Sequence, residues 1–483
     1  MTAVQPMKQT GRRVTAWQAT GILLLRGLTA VTATNGLAGA VPFAAAVAIA
    51  GTPATPSQPA SPAATPPPAV VAVTPLSLDD CVRLAEEAPS PVAVARRQRE
   101  IAQARLASAR AGLLPRLAAT AGYTYNSRLP GVPDGPPDAA SFVSLNGVNQ
   151  YTGLITVTED IDLSGRVRAT MARARADQDA ADATLRIQRH ELRRSVAAAY
   201  HRLLLARRLV QVGGDSLAEA EQFAARTELL ASKGEAARAD IVRAKVQVAF
   251  LRQARRAADL EVQIANQELA AFFRDDVVTP VSLVDVLDLK PTAPVPDPLL
   301  RLSGLAPALR RPELALLNAQ RQGFEAEARA ARALRLPQAG ITAEYGIDAN
   351  QVAWRNRGFA LLLTLTVPLL DWGNASNTAR QFALQAEQTQ YERAIMIRTV
   401  SRIHAAARAR VLALYEQIGI TIDQVNLAQE SLKLSRVRYE GGEGSALEVL
   451  GAQNEVTQAR SNYYQAIAGH LQAQVELRVA GAP

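Results

Sequence analysis

Two long stretches of the chain carry apolar residues in a helical pattern and contain almost nothing that breaks a helix. From Gly165 to about Ala231, and from Asn374 to about Tyr439, there is no proline and little glycine. Each stretch holds roughly 65 residues and would span ~100 Å as a helix, because each helical residue rises 1.5 Å. A domain of ordinary size needs no helix of that length, so the pattern predicts coiled-coil struts with Ala, Leu and Val at their seams.

Glycines at the end of each strut predict a turn, after which a second helix returns antiparallel. The returning helices are expected near 236–273 and 445–478, and shorter helices precede the first strut over 76–87 and onward to Leu113. The turn positions are Gly234, Gly441, Gly442 and Gly444. The chain should therefore form two helical hairpins.

Four short segments instead alternate polar and apolar residues with the period of a strand. Each holds about nine residues, the length of a tilted strand that crosses a membrane, with one face towards lipid and one towards a lumen. An ordinary soluble β-hairpin with one buried face is the alternative. The strands are expected at about 117–125, 151–161, 341–347 and 359–367. The polar residues expected in the lumen are Thr156, Thr158, Asp160, Glu344, Thr364 and Thr366.

This order of elements occurs twice. Pro115 matches Pro337 and Tyr123 matches Tyr345 at an offset of 222 residues, whereas 156–165 and 233–244 match their counterparts at an offset of 208. The difference places 14 extra residues in the Pro- and Gly-rich loop of the first hairpin. Such a repeat is too long for a solenoid and indicates a duplicated half-subunit.

The repeat divides the chain into five predicted segments. A basic start, an apolar stretch and Ala48-x-Ala50 indicate a signal peptide, with a retained anchor at about 28–50 as the alternative. The segments are a signal peptide over 1–50, a Pro- and Ala-rich disordered linker over 51–75, a first repeat over 76–274, a connecting belt over 275–310 and a second repeat over 311–483.

Four strands cannot close a membrane barrel, because open edges would leave backbone groups unpaired in lipid. Several copies must therefore contribute strands, and three copies would give a wide barrel. The predicted fold is mainly α with a transmembrane β-barrel, in which each duplicated chain gives four strands to a trimeric 12-stranded barrel. The long helices would continue it as a coiled-coil tube.

Composition and motifs exclude several function classes. The net charge of +9 comes from Arg and Glu interleaved along the whole chain, which predicts solvated helix faces and no nucleic-acid partner. The single Cys81 cannot form an internal disulfide, and no metal or cofactor motif accompanies it. The hydrolase-like run 214–217 has no downstream Asp-x-x-His to activate Ser216, so the chain should not be an enzyme.

The sequence resembles the TolC-like outer-membrane efflux protein family over nearly all of the residues that follow the linker. The residues that carry the resemblance are the repeat itself, Arg311-Pro312-Glu313, Asp371-Trp372-Gly373, Tyr439-x-x-Gly442, Ala446-Leu447-Glu448-Val449-Leu450 and Ala452-Gln453. The resemblance implies a homotrimer in outer-membrane lipid that docks through a periplasmic adaptor onto a proton-driven or ATP-driven inner-membrane pump. It implies a barrel in the outer membrane, a coiled-coil helical tunnel in the periplasm, and a passive exit duct for efflux or secretion that is gated at its periplasmic tip.

The resemblance also implies where that gate lies. Glu448 takes the family's main acidic position, Asp240 is its counterpart in the first half, and Tyr439 matches a tyrosine of the closed state with Asp240 as its expected partner. The turn glycines would form the tip that docks the adaptor. Gly451 and Gly444 replace a second acidic residue and an arginine of the family pattern, so we expect weaker cation binding and looser closure. Solvated carboxylates at helix starts are the simpler interpretation of both acidic positions.

A periplasmic coiled-coil adaptor or scaffold without a pore is the alternative function. It would use the same helical hairpins. Two strand pairs with a lipid-compatible face argue against it, because the β-domains of such adaptors are soluble. The cargo and the class of pump stay open at this stage.

Overall fold

The computed structural model describes residues 75–127, 148–288 and 309–481. The predicted signal peptide, nearly all of the linker, the extra loop residues and much of the belt lie outside these ranges. In chain order the elements are α1 (Leu78–Glu87), α2 (Pro91–Ala111), β1 (Arg116–Tyr125), β2 (Asn149–Ile161), α3 (Arg166–Ser232), α4 (Arg238–Ala270), α5 (Pro312–Ala333), β3 (Gln338–Ala349), β4 (Arg357–Thr366), α6 (Asn374–Glu440) and α7 (Ala446–Gly481). A short 3₁₀ turn, Trp354–Asn356, lies between β3 and β4.

The first helices begin where the sequence supplies caps. Ser77 and Asp80 form a reciprocal capping box at the start of α1, with both backbone-to-side-chain bonds at 3.2 Å. Ser90 accepts the Ala93 N–H, and Pro91 occupies the first helical position of α2, where its missing N–H costs nothing. Local chemistry therefore fixes the entry of the chain into the helical body.

The offset of 208 residues found in the sequence also relates the helices of the two halves. Helices α3 and α6 each hold 67 residues, and both their first and last residues differ by that offset. Both begin after a glycine with a left-handed backbone, Gly165 at φ 74° and Gly373 at φ 80°. The two long helices thus correspond residue by residue.

The four strands form one antiparallel sheet in the order β1-β2-β3-β4. They run 10 to 13 residues, slightly longer than the alternating pattern predicts. The outer edges of β1 and β4 pair with no strand in the described part of the chain. The sheet therefore ends on two open edges.

The helices lie side by side in two successive layers of four. Next to the sheet the order of contacts is α2, α3, α5, α6, and towards the turns it is α4, α3, α7, α6. Helix α6 therefore lies at one edge of both layers, and α2 and α4 lie at the other. None of the described helices is both long and apolar enough to cross a membrane.

The main core lies where α1, α3, α4 and α7 meet the described start of the belt. Leu76 forms a parallel bridge with Leu283, and the buried Tyr200 donates its hydroxyl proton to the Val284 carbonyl at 2.7 Å. Cys81 is fully buried here, and burial raises the pKa of its thiol to about 11. Cys81 thus packs as a small apolar side chain.

Candidate functional site

One face of the sheet carries all six residues predicted for a lumen. Directly opposed residues of an antiparallel pair project to the same side. Thr156 lies opposite Glu344, and Asp160 lies opposite Gly340, which in turn lies opposite Thr364. The remaining two, Thr158 and Thr366, lie opposite Thr342 and Gln338. The register therefore collects these residues on one surface, which we call the polar face.

Hydrogen bonds cross the strands of the polar face. Asp348 accepts from Gln150 Nε2 at 2.8 Å and from Thr152 Oγ1 at 3.3 Å. Both bonds join β2 to β3, and so join the first repeat to the second. Asp348 therefore lies among hydroxyl and amide groups of the neighbouring strand.

The opposite face of the sheet is apolar, and no other described part of the chain covers it. Phe359 is 84% exposed and Leu363 is 68% exposed, although both lie within β4. A continuous exposed surface of this kind marks a contact with lipid or with another protein. The large residues of this apolar face are Leu117, Tyr123, Tyr125, Ile155, Val157, Tyr345, Phe359, Leu361, Leu363 and Leu365.

At the far end of the helices, the first turn holds Asp240. This residue lies in the first turn of α4, where its carboxylate accepts from Arg243 Nη1 at 3.3 Å. Gly234, the turn glycine, has φ 80°, which places it in the left-handed region. A carboxylate near a helix start interacts favourably with the positive end of the helix dipole.

The second turn holds Glu448, and its surroundings differ. The Glu448 carboxylate pairs with Arg438 Nη1 at 3.3 Å across the turn. Ser445 Oγ accepts the Glu448 N–H at 3.3 Å at the start of α7. A Cβ on Gly444 would lie 3.0 Å from the Tyr439 nitrogen and 3.1 Å from Arg438 Cβ, so this turn packs closely against a glycine. The arginine of the family pattern would not fit there without a shift of the backbone.

The expected contact between Tyr439 and Asp240 is wrong within this chain. The Tyr439 hydroxyl instead lies 3.5 Å from Thr227 Oγ1 on α3, and its ring lies 5.3 Å from that of Phe223. Thr227 is fully buried and donates to the Phe223 carbonyl at 2.9 Å, so its oxygen can accept from the tyrosine. The contact arises because side chains at the end of α6 reach α3, whereas the Asp240 carboxylate accepts from Arg243 of its own helix.

Three residues of this region were not predicted from the sequence. Arg243 could have been found, since it lies three residues after Asp240 on the same helix. Arg438 and Thr227 could not, because their partners lie across a turn and on another helix.

The hydrolase-like Ser216 lies inside α3 and bonds Thr457 Oγ1 at 2.8 Å. Within the described residues, no three His, Cys, Asp or Glu side chains form a group that could hold a metal ion.

Comparisons with known proteins agree with this architecture. A family model described as "Outer membrane efflux protein" matches residues 83–273 and 307–481, one match for each repeat. The outer membrane protein OprJ of Pseudomonas aeruginosa is 26% identical over 340 residues, which are 67% of this chain and 67% of OprJ. The pyoverdine export outer membrane protein OpmQ of the same organism is 25% identical over 387 residues, 78% of each chain.

Solved structures share the fold at low sequence identity. The CmeC outer membrane channel of Campylobacter jejuni has a TM-score of 0.72 at 16% identity, covering 83% of this chain and 85% of its own. CusC has a TM-score of 0.74 at 18% identity, covering 83% of this chain and 91% of its own. Because the family model covers most of the chain and both repeats, the resemblance is confirmed, the adaptor alternative is set aside, and the chain belongs to the outer membrane efflux protein family as an outer-membrane channel component of an efflux system.

Proposed function

We propose that three copies of this chain close a twelve-stranded barrel in the outer membrane and a helical tunnel below it. The observation that carries the proposal is the sheet, which has an apolar face, a polar face and two open edges. Lipid would cover the apolar face, and the polar face would line a water-filled lumen. Pairing of β4 with β1 of the next copy would remove both edges.

Three copies suit a duct better than two. Two copies would give eight strands, and a barrel of that size is just wide enough to be filled by its own side chains. Twelve strands leave an open passage, which an exit duct requires. The trimer is also what the family resemblance implies.

The helices offer matching surfaces for the same closure. On α6 three exposed apolar residues recur every seven residues, Ile420, Leu427 and Leu434. On α4, at the opposite edge of the layer, Val242, Val246 and Phe250 are exposed with a spacing of four. Apolar stripes with these spacings pack as coiled coils, so α6 of one copy would pack on α4 of the next.

The duct would be passive. A polar lumen supplies neither energy nor strong selectivity, so both would come from an inner-membrane pump reached through a periplasmic adaptor. The adaptor would dock at the turns around Gly234, Gly441, Gly442 and Gly444. The narrow end would lie at the same turns, with Asp240, Glu448 and Tyr439 around it.

Mass measurement and conductance together test the proposal. Detergent-extracted protein from outer membranes should have the mass of three chains and should form ion-conducting pores in planar lipid bilayers. A monomer or dimer in mild detergent, or a trimer without pores, would contradict it.

A further inference from the structure

Each acidic residue expected at the narrow end already forms an ion pair within its own chain. Asp240 pairs with Arg243 at 3.3 Å, and Glu448 pairs with Arg438 at 3.3 Å. Both arginines are more than half exposed, so the pairs lie at the surface of the turns and add little to stability. Their consequence is electrostatic, because each pair presents a dipole in place of a free charge.

The two arginines come from different positions of the repeat. At the offset of 208, Arg243 corresponds to Gly451 and Arg438 corresponds to Leu230. The second half therefore lacks the arginine one turn after its acidic residue, and supplies one from the end of the preceding helix. Both halves therefore pair their acidic residue with an arginine, but the arginine lies on the same helix in the first half and on the preceding helix in the second.

Neighbouring charges at the turns are balanced as well. The first turn also carries Lys233, Glu235 and Arg238. Near the second turn Glu440 lies 3.9 Å from Arg226, and Glu443 is exposed beside Arg438, which contacts its backbone carbonyl at 3.4 Å. Among the described residues of the narrow end, every group of carboxylates thus has an arginine or a lysine nearby.

We propose that Arg438 and Arg243 determine how the narrow end responds to cations, because they neutralise the carboxylates that would otherwise bind them. This inference rests on the proposed trimeric duct, in which three copies bring each carboxylate into a ring. Carboxylate oxygens are the preferred ligands of hard divalent cations, and a ring of three unpaired carboxylates would attract them strongly. With the arginines in place, the ring carries almost no net charge, so cations bind weakly and block the duct only at high concentration.

Removal of the arginines tests the proposal. The variants are Arg438→Gln, Arg243→Gln and both together, with conductance in planar bilayers measured as Mg²⁺ is added. In the double variant the Mg²⁺ concentration that halves the conductance should fall roughly tenfold, because each carboxylate loses the positive charge that lies 3.3 Å away. Adding Glu448→Gln and Asp240→Gln to the double variant should restore the response of the unmodified protein.

Arg436→Gln is the matched control. It removes the same charge from the same helix, two residues away, but Arg436 pairs with Glu219 on α3. An Mg²⁺ response that changes equally in the control and in Arg438→Gln, or in neither, would overturn the inference. Trimer mass is measured for every variant. If the unmodified protein forms no pore, the proposed function fails, whereas pores with an unchanged Mg²⁺ response in the arginine variants defeat only this inference.

Discussion

The two turns that end the long helices have the same backbone but different side chains. In the first, Glu235 N–H donates to the Leu230 carbonyl at 2.9 Å, and in the second, Glu443 N–H donates to the Arg438 carbonyl at 2.9 Å. Their central glycines, Gly234 and Gly442, have φ values of 80° and 77°. The left-handed backbone favours glycine in both halves, because other residues carry a steric cost there.

The side chains around these turns are much less constrained. Leu230 stands where the other half has Arg438, and Arg243 stands where it has Gly451. Exposed side chains at a turn change the stability of the fold little, so each half can carry its own charges. The duplication therefore preserves the backbone geometry of the turns, while the side-chain chemistry around them differs between the halves.

The largest expected effect comes from a charge placed on the apolar face of the sheet. Residues of the apolar and polar faces alternate along the strands of both halves. Leu363→Arg places a charge on the apolar face near the middle of β4, and should cost about 2–4 kcal/mol per chain and abolish assembly in the outer membrane. Leu362→Arg, one residue away on the polar face, should assemble. Ile155→Arg and Leu154→Arg, the matching pair in β2, should behave the same way. The yield of trimer in outer-membrane extracts measures this, and equal yields from Leu362→Arg and Leu363→Arg would contradict the assignment of the faces.

A smaller effect is expected where the two halves of the sheet differ. Gly346 corresponds to Thr124 of the first half, but a Cβ on Gly346 would lie 1.9 Å from the Gly153 carbonyl oxygen. Gly346→Ala should therefore destabilise the sheet by about 2–3 kcal/mol, the upper range for overpacking.

Gly153→Ala is the control for that change, because a Cβ at Gly153 meets no atom within 4 Å. Thermal dissociation of the trimer, followed by gel mobility, compares the two variants. A Gly346→Ala trimer as heat-resistant as the Gly153→Ala trimer would show that β2 and β3 do not approach as closely as described.

The smallest effect concerns histidines buried in the helices. His404 occupies the position that Val196 holds in the first half, and its Nε2 has no hydrogen-bond partner among the described residues. His404→Val should raise stability by about 1 kcal/mol, since it replaces an unsatisfied polar group with an apolar one.

The same histidines predict a dependence on pH. Burial lowers the pKa of His201, His404 and His470 in the folded chain, so the unfolded chain binds more protons below its ordinary pKa of about 6.5. The stabilisation is complete above that pH and is lost as the pH falls towards the lowered folded values. Melting temperature between pH 8 and pH 5 should therefore fall on acidification, and less steeply in His404→Val. A steeper fall in that variant would contradict the role of His404.

Much of the helical architecture could be predicted from the sequence. Helices α3 and α6 lack internal proline, and their glycine turns supply the left-handed residues that reverse the chain. The strands alternate in period two, so the polar residues from Thr156 to Thr366 could be assigned to one side before the register was known. The ends of strands and helices differ from the predicted ones by a few residues, and the four strands are longer because pairing with a neighbouring strand extends them.

The contacts around the acidic residues could not be predicted in the same way. Tyr439 bonds Thr227 because side chains at the end of α6 reach α3, and no local pattern shows which helix such a side chain will contact. The role of Arg438 depends on a turn that brings the end of α6 beside the start of α7. Gly346 has an ordinary strand environment in sequence, and its close approach to Gly153 follows from the pairing of β2 with β3.

The sequence by itself determined the elements, their duplication and the two faces of the sheet, because backbone preferences and the periodic placement of apolar residues are local properties. The tertiary structure alone decided that Glu448 meets Arg438. Asp240 and Glu448 occupy equivalent positions 208 residues apart, but Asp240 pairs with an arginine of its own helix, whereas Glu448 pairs with an arginine across its turn. Ion pairing depends on distances of a few ångströms between residues that the order of the chain leaves unspecified.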